Sequence, residues 1–274
     1  MARKIKRVES YIIDNADAHR TSLDAYAACP AEAFLTYVCD AYDSFEQCLN
    51  KFTKKQDGSY NKDSVDSLGH ISSAILGTLM GHFETYQKAL FAGLVERTDH
   101  FADFDVEIFL KNVKKTIGGE LSVPTARLLA FRTLKAPVGY VLADAISGWH
   151  DPTRVNELLK AFNIKQDIFS NEDITDLEVL WQLRHSIVHT GAWMTLPDAQ
   201  KVKRLRPYGG KPLIFEHLFI NAVSRRFHRL VSNVNHRLLV ACKLLVSSKA
   251  ASDLSHNLDS FLLVKSPKQV WCKA

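Results

Sequence analysis

Apolar residues recur at three- and four-residue steps along most of the chain. Between Pro30 and Phe52 they form a single helical stripe, and Pro30 is suited to the first turn of that helix. A second stripe runs from Ser64 to Glu96. No segment shows the sustained apolar–polar alternation that is typical of a half-buried strand. The pattern predicts an all-α fold without internal repeats.

Turn-forming residues divide the rest of the chain into further helices. Gly118-Gly119 and Pro137 mark two breaks, and Asp151-Pro152 is typical of a cap followed by a first-turn proline. Gly191 is placed to end the helix that contains Leu180. The expected helices span residues 105–115, 124–133, 138–147, 151–162, 171–191 and 216–248, with a basic connection over 197–212.

The second helix contains four glycines, an unusual number for a helix of this length. Each glycine lowers helix propensity by about 1 kcal/mol relative to alanine. Such residues are tolerable where they allow another helix to approach closely. The four positions are Gly69, Gly77, Gly81 and Gly93.

Domain borders are weakly marked, because no Ser-, Gly- or Pro-rich linker interrupts the chain. We divide the sequence into a helical extension over 1–63, a helical core over 64–249 and a peripheral tail over 250–274.

The composition is that of a globular protein, but its positive charge is concentrated in the last third. Hydrophobic residues make up 46% and charged residues 24% of the 274 residues, which argues against disorder. Residues 1–170 carry 20 Lys and Arg against 22 Asp and Glu, whereas residues 171–274 carry 15 against 8. A local basic excess favours a polyanion partner. A solvated basic helix face would give the same imbalance, so charge leaves both interpretations open.

The cysteines and apolar runs bear on the cellular compartment. The five cysteines form no C-x-x-C pair, and their odd number does not indicate a disulfide framework. The basic N-terminus is not followed by the apolar stretch of a secretory signal. Apolar runs are also far shorter than the roughly 20 residues of a membrane span. These features predict a cytoplasmic protein without a membrane partner.

The chemically informative segment is Leu180-Trp-Gln-Leu-Arg-His-Ser-Ile-Val-His-Thr-Gly-Ala192. On a straight helix Arg184 and His189 are separated by about 7.5 Å in rise and about 140° in rotation. A compact site from this pair therefore needs a long arginine reach, a loosened last turn or a second copy of the helix. His185 and His189, four residues apart, share one face.

Arginine and histidine together suffice for RNA cleavage by the neighbouring 2′-hydroxyl, with no metal. A guanidinium can hold the phosphate and its developing charge, and an imidazole can move the proton near neutral pH. The R-x4-H string is short enough to arise by chance. Its arginine could equally pair with carboxylates of a neighbouring helix.

In its helical context the motif resembles that of the HEPN superfamily. The hallmark of that family is R-x4-6-H at the end of a helix, with a polar residue, most often Asn, directly after the arginine. That position is His185 here, which keeps polarity but not the amide. Residues 79–94 and 151–164 are similar to helices that precede the motif in the family, so the resemblance covers roughly residues 64–245.

The resemblance implies a helical bundle that homodimerises and cleaves RNA without metal or cofactor. Arg184 would stabilise the scissile phosphate, His189 would act as acid or base, and His185 would be auxiliary. Toxin, phage-defence and RNA-processing roles are implied, with an antitoxin or regulatory protein as a further partner. Transfer RNA, messenger RNA and phage transcripts all remain open as substrates. The rival expectation is a catalytically silent HEPN-like module that binds protein or nucleic acid and dimerises.

Several residues outside the motif are secondary candidates. Glu84 could point toward the site or be an ordinary exposed glutamate. His70 and His82 lack metal-ligand spacing, so no metal site is predicted. Basic residues near or after the motif could contact RNA phosphates, or could be solvated or lie at a dimer rim. They are Lys201, Lys203, Arg204, Arg206, Lys211, Arg225 and Arg229.

Overall fold

A computed structural model describes residues 22–134, 137–246 and 252–273, and these residues are predominantly helical. The α-helices are α1 (Leu23–Ala28), α2 (Pro30–Lys51), α3 (Lys62–Val95), α4 (Val106–Ile117), α5 (Thr125–Leu134), α6 (Val138–Ala145), α7 (Pro152–Lys160), α8 (Asn171–Thr190), α9 (Leu196–Lys201), α10 (Phe219–Leu245) and α11 (Ser252–Phe261). Short 3₁₀ helices cover Thr98–His100, Lys203–Tyr208 and Gln269–Lys273. Strands β1 (Trp193–Met194) and β2 (Lys211–Pro212) form one antiparallel pair. The predicted all-α class is confirmed.

Local capping explains where the motif helix α8 begins and ends. The Ser170 hydroxyl accepts a hydrogen bond from the backbone N–H of Asp173, whose carboxylate accepts the backbone N–H of Ser170 in return. This capping box satisfies two otherwise unpaired donors. At the other end Gly191 adopts the left-handed conformation, with φ 63°, that ends many helices. Gly191 is therefore confirmed as the end of this helix.

Helix α3 is the central element of the bundle. It packs against α2, α6 and α8. Four aromatic side chains from α2, α3 and α10 meet at this centre, and all four are fully buried: Phe34, Phe83, Tyr86 and Phe227. Burial of aromatic and aliphatic side chains dominates the stability of such a core.

Of the four α3 glycines, only Gly93 has a neighbour close enough to require it. A Cβ at Gly93 would lie 2.1 Å from the ring of Phe261 in α11, whereas a Cβ at Gly69, Gly77 or Gly81 would meet nothing within 4 Å. The Arg97 guanidinium lies 4.0 Å from the centroid of the same ring. The expected close approach of a second helix therefore occurs at one of the four positions.

The predicted borders at residues 64 and 250 stay predictions, and packing crosses both of them. Helices α2 and α3 contribute to one continuous core. In the C-terminal segment Leu258, Phe261 and Leu262 are buried in that same core. Trp271 contacts the rings of Tyr42 and His228. The basic N-terminal residues 1–21 lie outside the described part of the chain.

The connection after α8 is more structured than the sequence suggested. Thr195 caps α9 by accepting a hydrogen bond from the backbone N–H of Asp198. Gly210, with φ 74°, brings the chain back so that β2 pairs with β1. The last long helix accordingly begins at Phe219 rather than near residue 216.

None of the helices in the described ranges combines the length and the apolar character needed to cross a bilayer.

Candidate active site

One face of α8 lines an open cleft of about 720 Å³. The opposite side of the cleft is formed by the start of α7, and α3 and α9 contribute at its edges. The lining residues are Glu84, His150, Asp151, Pro152, Thr153, Glu178, Trp181, Gln182, Arg184, His185, His189, Lys201 and Val202. The structure thus brings Arg184, His185, His189, Lys201 and Glu84 to one cleft within a single chain.

Arg184 is half-buried and has no ion pair in the described part of the chain. Its buried Nε atom has no hydrogen-bond partner among the described protein atoms. A structural arginine at this depth would be expected to pair with a carboxylate, because an unpaired buried charge is costly. Arg184 thus lines the cleft without a carboxylate partner among the described residues.

The two histidines of the motif face each other. Their ring centroids are 4.7 Å apart with an interplanar angle of 43°. The predicted shared face of His185 and His189 is confirmed. His185 is half-buried and His189 is exposed in the last turn of α8.

Asp198 is a buried acidic residue beside His185 that sequence reasoning did not single out. Its side chain is only 10% exposed. One carboxylate oxygen accepts a hydrogen bond of 2.7 Å from Lys201 Nζ, and the other accepts one of 2.8 Å from the Thr195 hydroxyl. His185 Nε2 lies 3.8 Å from the Lys201-bound oxygen. The hydrogen bonds from Lys201 and Thr195 hold the pKa of Asp198 below its usual range, so the carboxylate is ionised at neutral pH.

The environment of His185 favours its neutral form. Burial is the largest cause of the lowered pKa of His185, and the positive charges of His189, Lys201 and Arg184 act in the same direction. Asp198 opposes them. A histidine that is neutral near pH 7 can accept a proton, which is the requirement for a general base.

Trp181 gives the cleft an aromatic wall with an unused donor. The residue is 7% exposed, and its indole Nε1 has no hydrogen-bond partner among the described protein atoms. The ring of His150 approaches it edge-on at 6.3 Å. A buried indole N–H usually has an acceptor. Trp181 and Arg184 thus both line the cleft, and each has one buried donor without a partner among the described protein atoms.

The secondary candidates separate into groups. Glu84 lines the cleft and also pairs with Lys88 at 2.7 Å. Arg204 pairs with Asp176, which faces α10 rather than the cleft. Lys211 donates to the carbonyl of Pro207. Lys203 and Arg206 are exposed on the 3₁₀ helix that follows α9.

The two predicted RNA-binding arginines of α10 lie outside the cleft. Arg225 lies over the ring of Trp271, and Arg229 lines a small polar pocket between α8 and α10. Neither is among the described residues that line the cleft. Of the predicted basic residues, the structure brings Lys201 alone into the cleft.

No group of three or more His, Cys, Asp or Glu side chains within residues 22–134, 137–246 and 252–273 is arranged to hold a metal ion. Comparisons of the chain with family models, with curated proteins and with solved structures gave no match.

Proposed function

We propose that this protein is a metal-independent endoribonuclease of the HEPN type whose site contains Arg184, His185 and His189. The observation that carries the proposal is the unpaired Arg184 guanidinium beside the facing rings of His185 and His189 in one open cleft. Lys201 at the edge adds a further positive charge for the RNA backbone.

The proposed reaction is transfer of the phosphoryl group within RNA. The 2′-hydroxyl loses its proton to one imidazole, and its oxygen bonds to the adjacent phosphorus. The bond from phosphorus to the 5′-oxygen breaks, and that oxygen takes a proton from the second imidazole. Arg184 stabilises the additional negative charge on the phosphorane, a role suited to a planar, permanent cation. The products are a 2′,3′-cyclic phosphate and a 5′-hydroxyl.

The rival proposal is a silent module that binds protein or nucleic acid and dimerises. It requires Arg184 to serve the fold and His189 to be dispensable. The lack of an ion pair for Arg184 in the described residues favours the enzyme over this alternative.

The test is cleavage of total RNA by purified protein in EDTA, with analysis of the fragment ends. Arg184→Ala and His189→Ala should each lower the rate by about 10²–10⁴-fold, because transition-state stabilisation and proton transfer each contribute on that scale. The double variant should cleave RNA only slightly more slowly than either single variant, as expected for groups that act as a unit. Arg184→Lys keeps the charge without the planar fork and should retain part of the rate.

The matched control is His100→Ala, which removes an exposed histidine on the Thr98–His100 3₁₀ helix. This variant should cleave RNA like the wild type. Full activity in a folded His189→Ala protein, or activity that depends strictly on a divalent ion, would refute the proposed chemistry. A lower melting temperature in Arg184→Ala, together with no cleavage of RNA by the folded wild-type protein, would instead favour the silent module.

A further inference from the structure

Two histidines in one cleft raise the question of which accepts the proton and which donates it. We propose that His185 is the general base, that Asp198 is its positioning residue, and that His189 is the general acid. This inference rests on the proposed ribonuclease function and assigns the roles within its site.

The first support is the rigid placement of the Asp198 carboxylate. The hydrogen bonds from Lys201 and from the Thr195 hydroxyl fix both of its oxygens, and its own backbone N–H donates to Thr195 Oγ1 at 3.2 Å. These bonds hold the carboxylate beside the ring of His185. At 3.8 Å, the contact between Asp198 Oδ1 and His185 Nε2 is an electrostatic contact that is longer than a hydrogen bond.

The second support is the tautomer that this contact selects. A carboxylate beside Nε2 favours the form of neutral His185 that carries its proton on Nε2. Nδ1 is then the basic atom. When Nδ1 accepts the proton of the 2′-hydroxyl, the ring becomes positively charged, and Asp198 stabilises that charge as the carboxylate of a catalytic triad does.

The third support is the difference between the two histidines. His185 is partly buried and faces Arg184, His189 and Lys201, which disfavour its protonation before the reaction. His189 is exposed in the last turn of α8, where its ring can reach a leaving group in the open cleft. Because the rings are 4.7 Å apart, two positive charges repel each other. One neutral and one protonated ring is the combination that acid–base cleavage requires.

The charged and titratable groups around His185 come from four elements. Helix α8 contributes Arg184, His189 and Glu178, α9 contributes Asp198 and Lys201, α3 contributes Glu84, and His150 and Asp151 lie at the start of α7. Asp198 has the only acidic oxygen within 4.0 Å of a His185 nitrogen in the described residues. Its replacement therefore isolates one interaction.

The experiment compares wild-type protein with Asp198→Asn by two measurements. The first is an NMR titration of the imidazoles without RNA, and the second is the pH dependence of single-turnover cleavage of an RNA oligonucleotide. Loss of a unit charge at this distance should lower the pKa of His185 by about 0.5–1 pH unit. The ascending limb of the rate profile should shift to lower pH by the same amount, and the maximal rate should fall roughly 10- to 100-fold.

Two further variants control for a merely structural effect. Asp259→Asn removes an Asp–Lys ion pair to Lys243 on another surface and should change neither measurement. Asp198→Glu keeps the negative charge. It should therefore retain part of the wild-type rate, and the ascending limb of its pH–rate profile should lie between those of the wild type and Asp198→Asn.

The outcomes distinguish this inference from the function on which it rests. An active wild-type enzyme whose ascending limb and His185 titration are unchanged in Asp198→Asn would overturn the role of Asp198. A shift of the descending limb instead would make His185 the acid and overturn the assignment. Absence of RNA cleavage by the wild type at every pH would refute the ribonuclease itself, and the catalytic roles with it.

Discussion

Replacement of Gly93 by alanine tests the packing of α11 on α3 with a single methyl group. The added Cβ would lie 2.1, 2.4 and 3.0 Å from three atoms of the Phe261 ring. That ring is 1% exposed and is covered on another side by Arg97, so it cannot move without losing contacts. Overpacking of this kind costs about 1–3 kcal/mol.

The matched control is Gly81→Ala on the same helix, where a Cβ meets nothing within 4 Å. Both variants gain about 1 kcal/mol of helix propensity, so this term cancels in the comparison. We expect Gly93→Ala to be less stable than Gly81→Ala by about 2 kcal/mol, or about 4–8 °C in melting temperature. Thermal and urea unfolding followed by circular dichroism at 222 nm would measure the difference.

A double variant shows whether Phe261 is the cause. Phe261→Ala alone should destabilise the protein by about 3–5 kcal/mol. Adding Gly93→Ala to Phe261→Ala should not lower the free energy of unfolding further, because the ring that clashes with the new methyl group is gone and the two sites are coupled. Equal stability of Gly93→Ala and Gly81→Ala would refute the proposed packing. So would a loss of stability from Gly93→Ala that is as large in the Phe261→Ala background as in the wild type.

Two further predictions concern pH and salt. His228 is fully buried: Nδ1 donates to the Ser224 carbonyl, and the Ser266 hydroxyl donates to Nε2. Burial lowers the pKa of His228, so its contribution to stability is complete above the unfolded pKa of about 6.5 and is lost as the pH falls through the lower folded pKa. The free energy of unfolding should decrease from pH 7.5 to pH 5, and the decrease should be smaller in His228→Gln. If the two proteins show the same dependence of stability on pH, His228 is not its cause. Replacing exposed Lys203 and Arg206 with alanine should weaken RNA binding and reduce the slope of log K against log salt by about 1.4, since each phosphate contact on single-stranded RNA contributes about 0.7. An unchanged slope would place both side chains outside the RNA path.

The sequence predicted the long elements well because their signals are local. The apolar stripes of α2, α3 and α8, together with caps such as Asp151 and Gly191, act within one or two helical turns. The segment after α8 was predicted less well. There the two-residue strands depend on pairing between Trp193 and Pro212, which lie far apart in the chain.

Part of the candidate site could also be predicted from the sequence. The shared face of His185 and His189 follows from helical spacing alone. The contact of Asp198 with His185 depends on the path of the chain through β1 and α9, which spacing does not specify. A local signal was nevertheless present, since Thr195-Leu-Pro-Asp198 has the form of a capping box and predicts a new helix directly after the motif helix.

Helix α8 is fixed at both ends, by the capping box at Ser170 and by the left-handed Gly191. Asn156 fixes the approach to it, since its side chain accepts the backbone N–H groups of Ile168 and Phe169. A helix held in this way undergoes little ordering when a ligand arrives, so binding at its face loses little backbone entropy. Most of the adjustment on binding then falls to exposed side chains such as His189. The cleft is in this sense preorganised by its backbone and adaptable in its side chains.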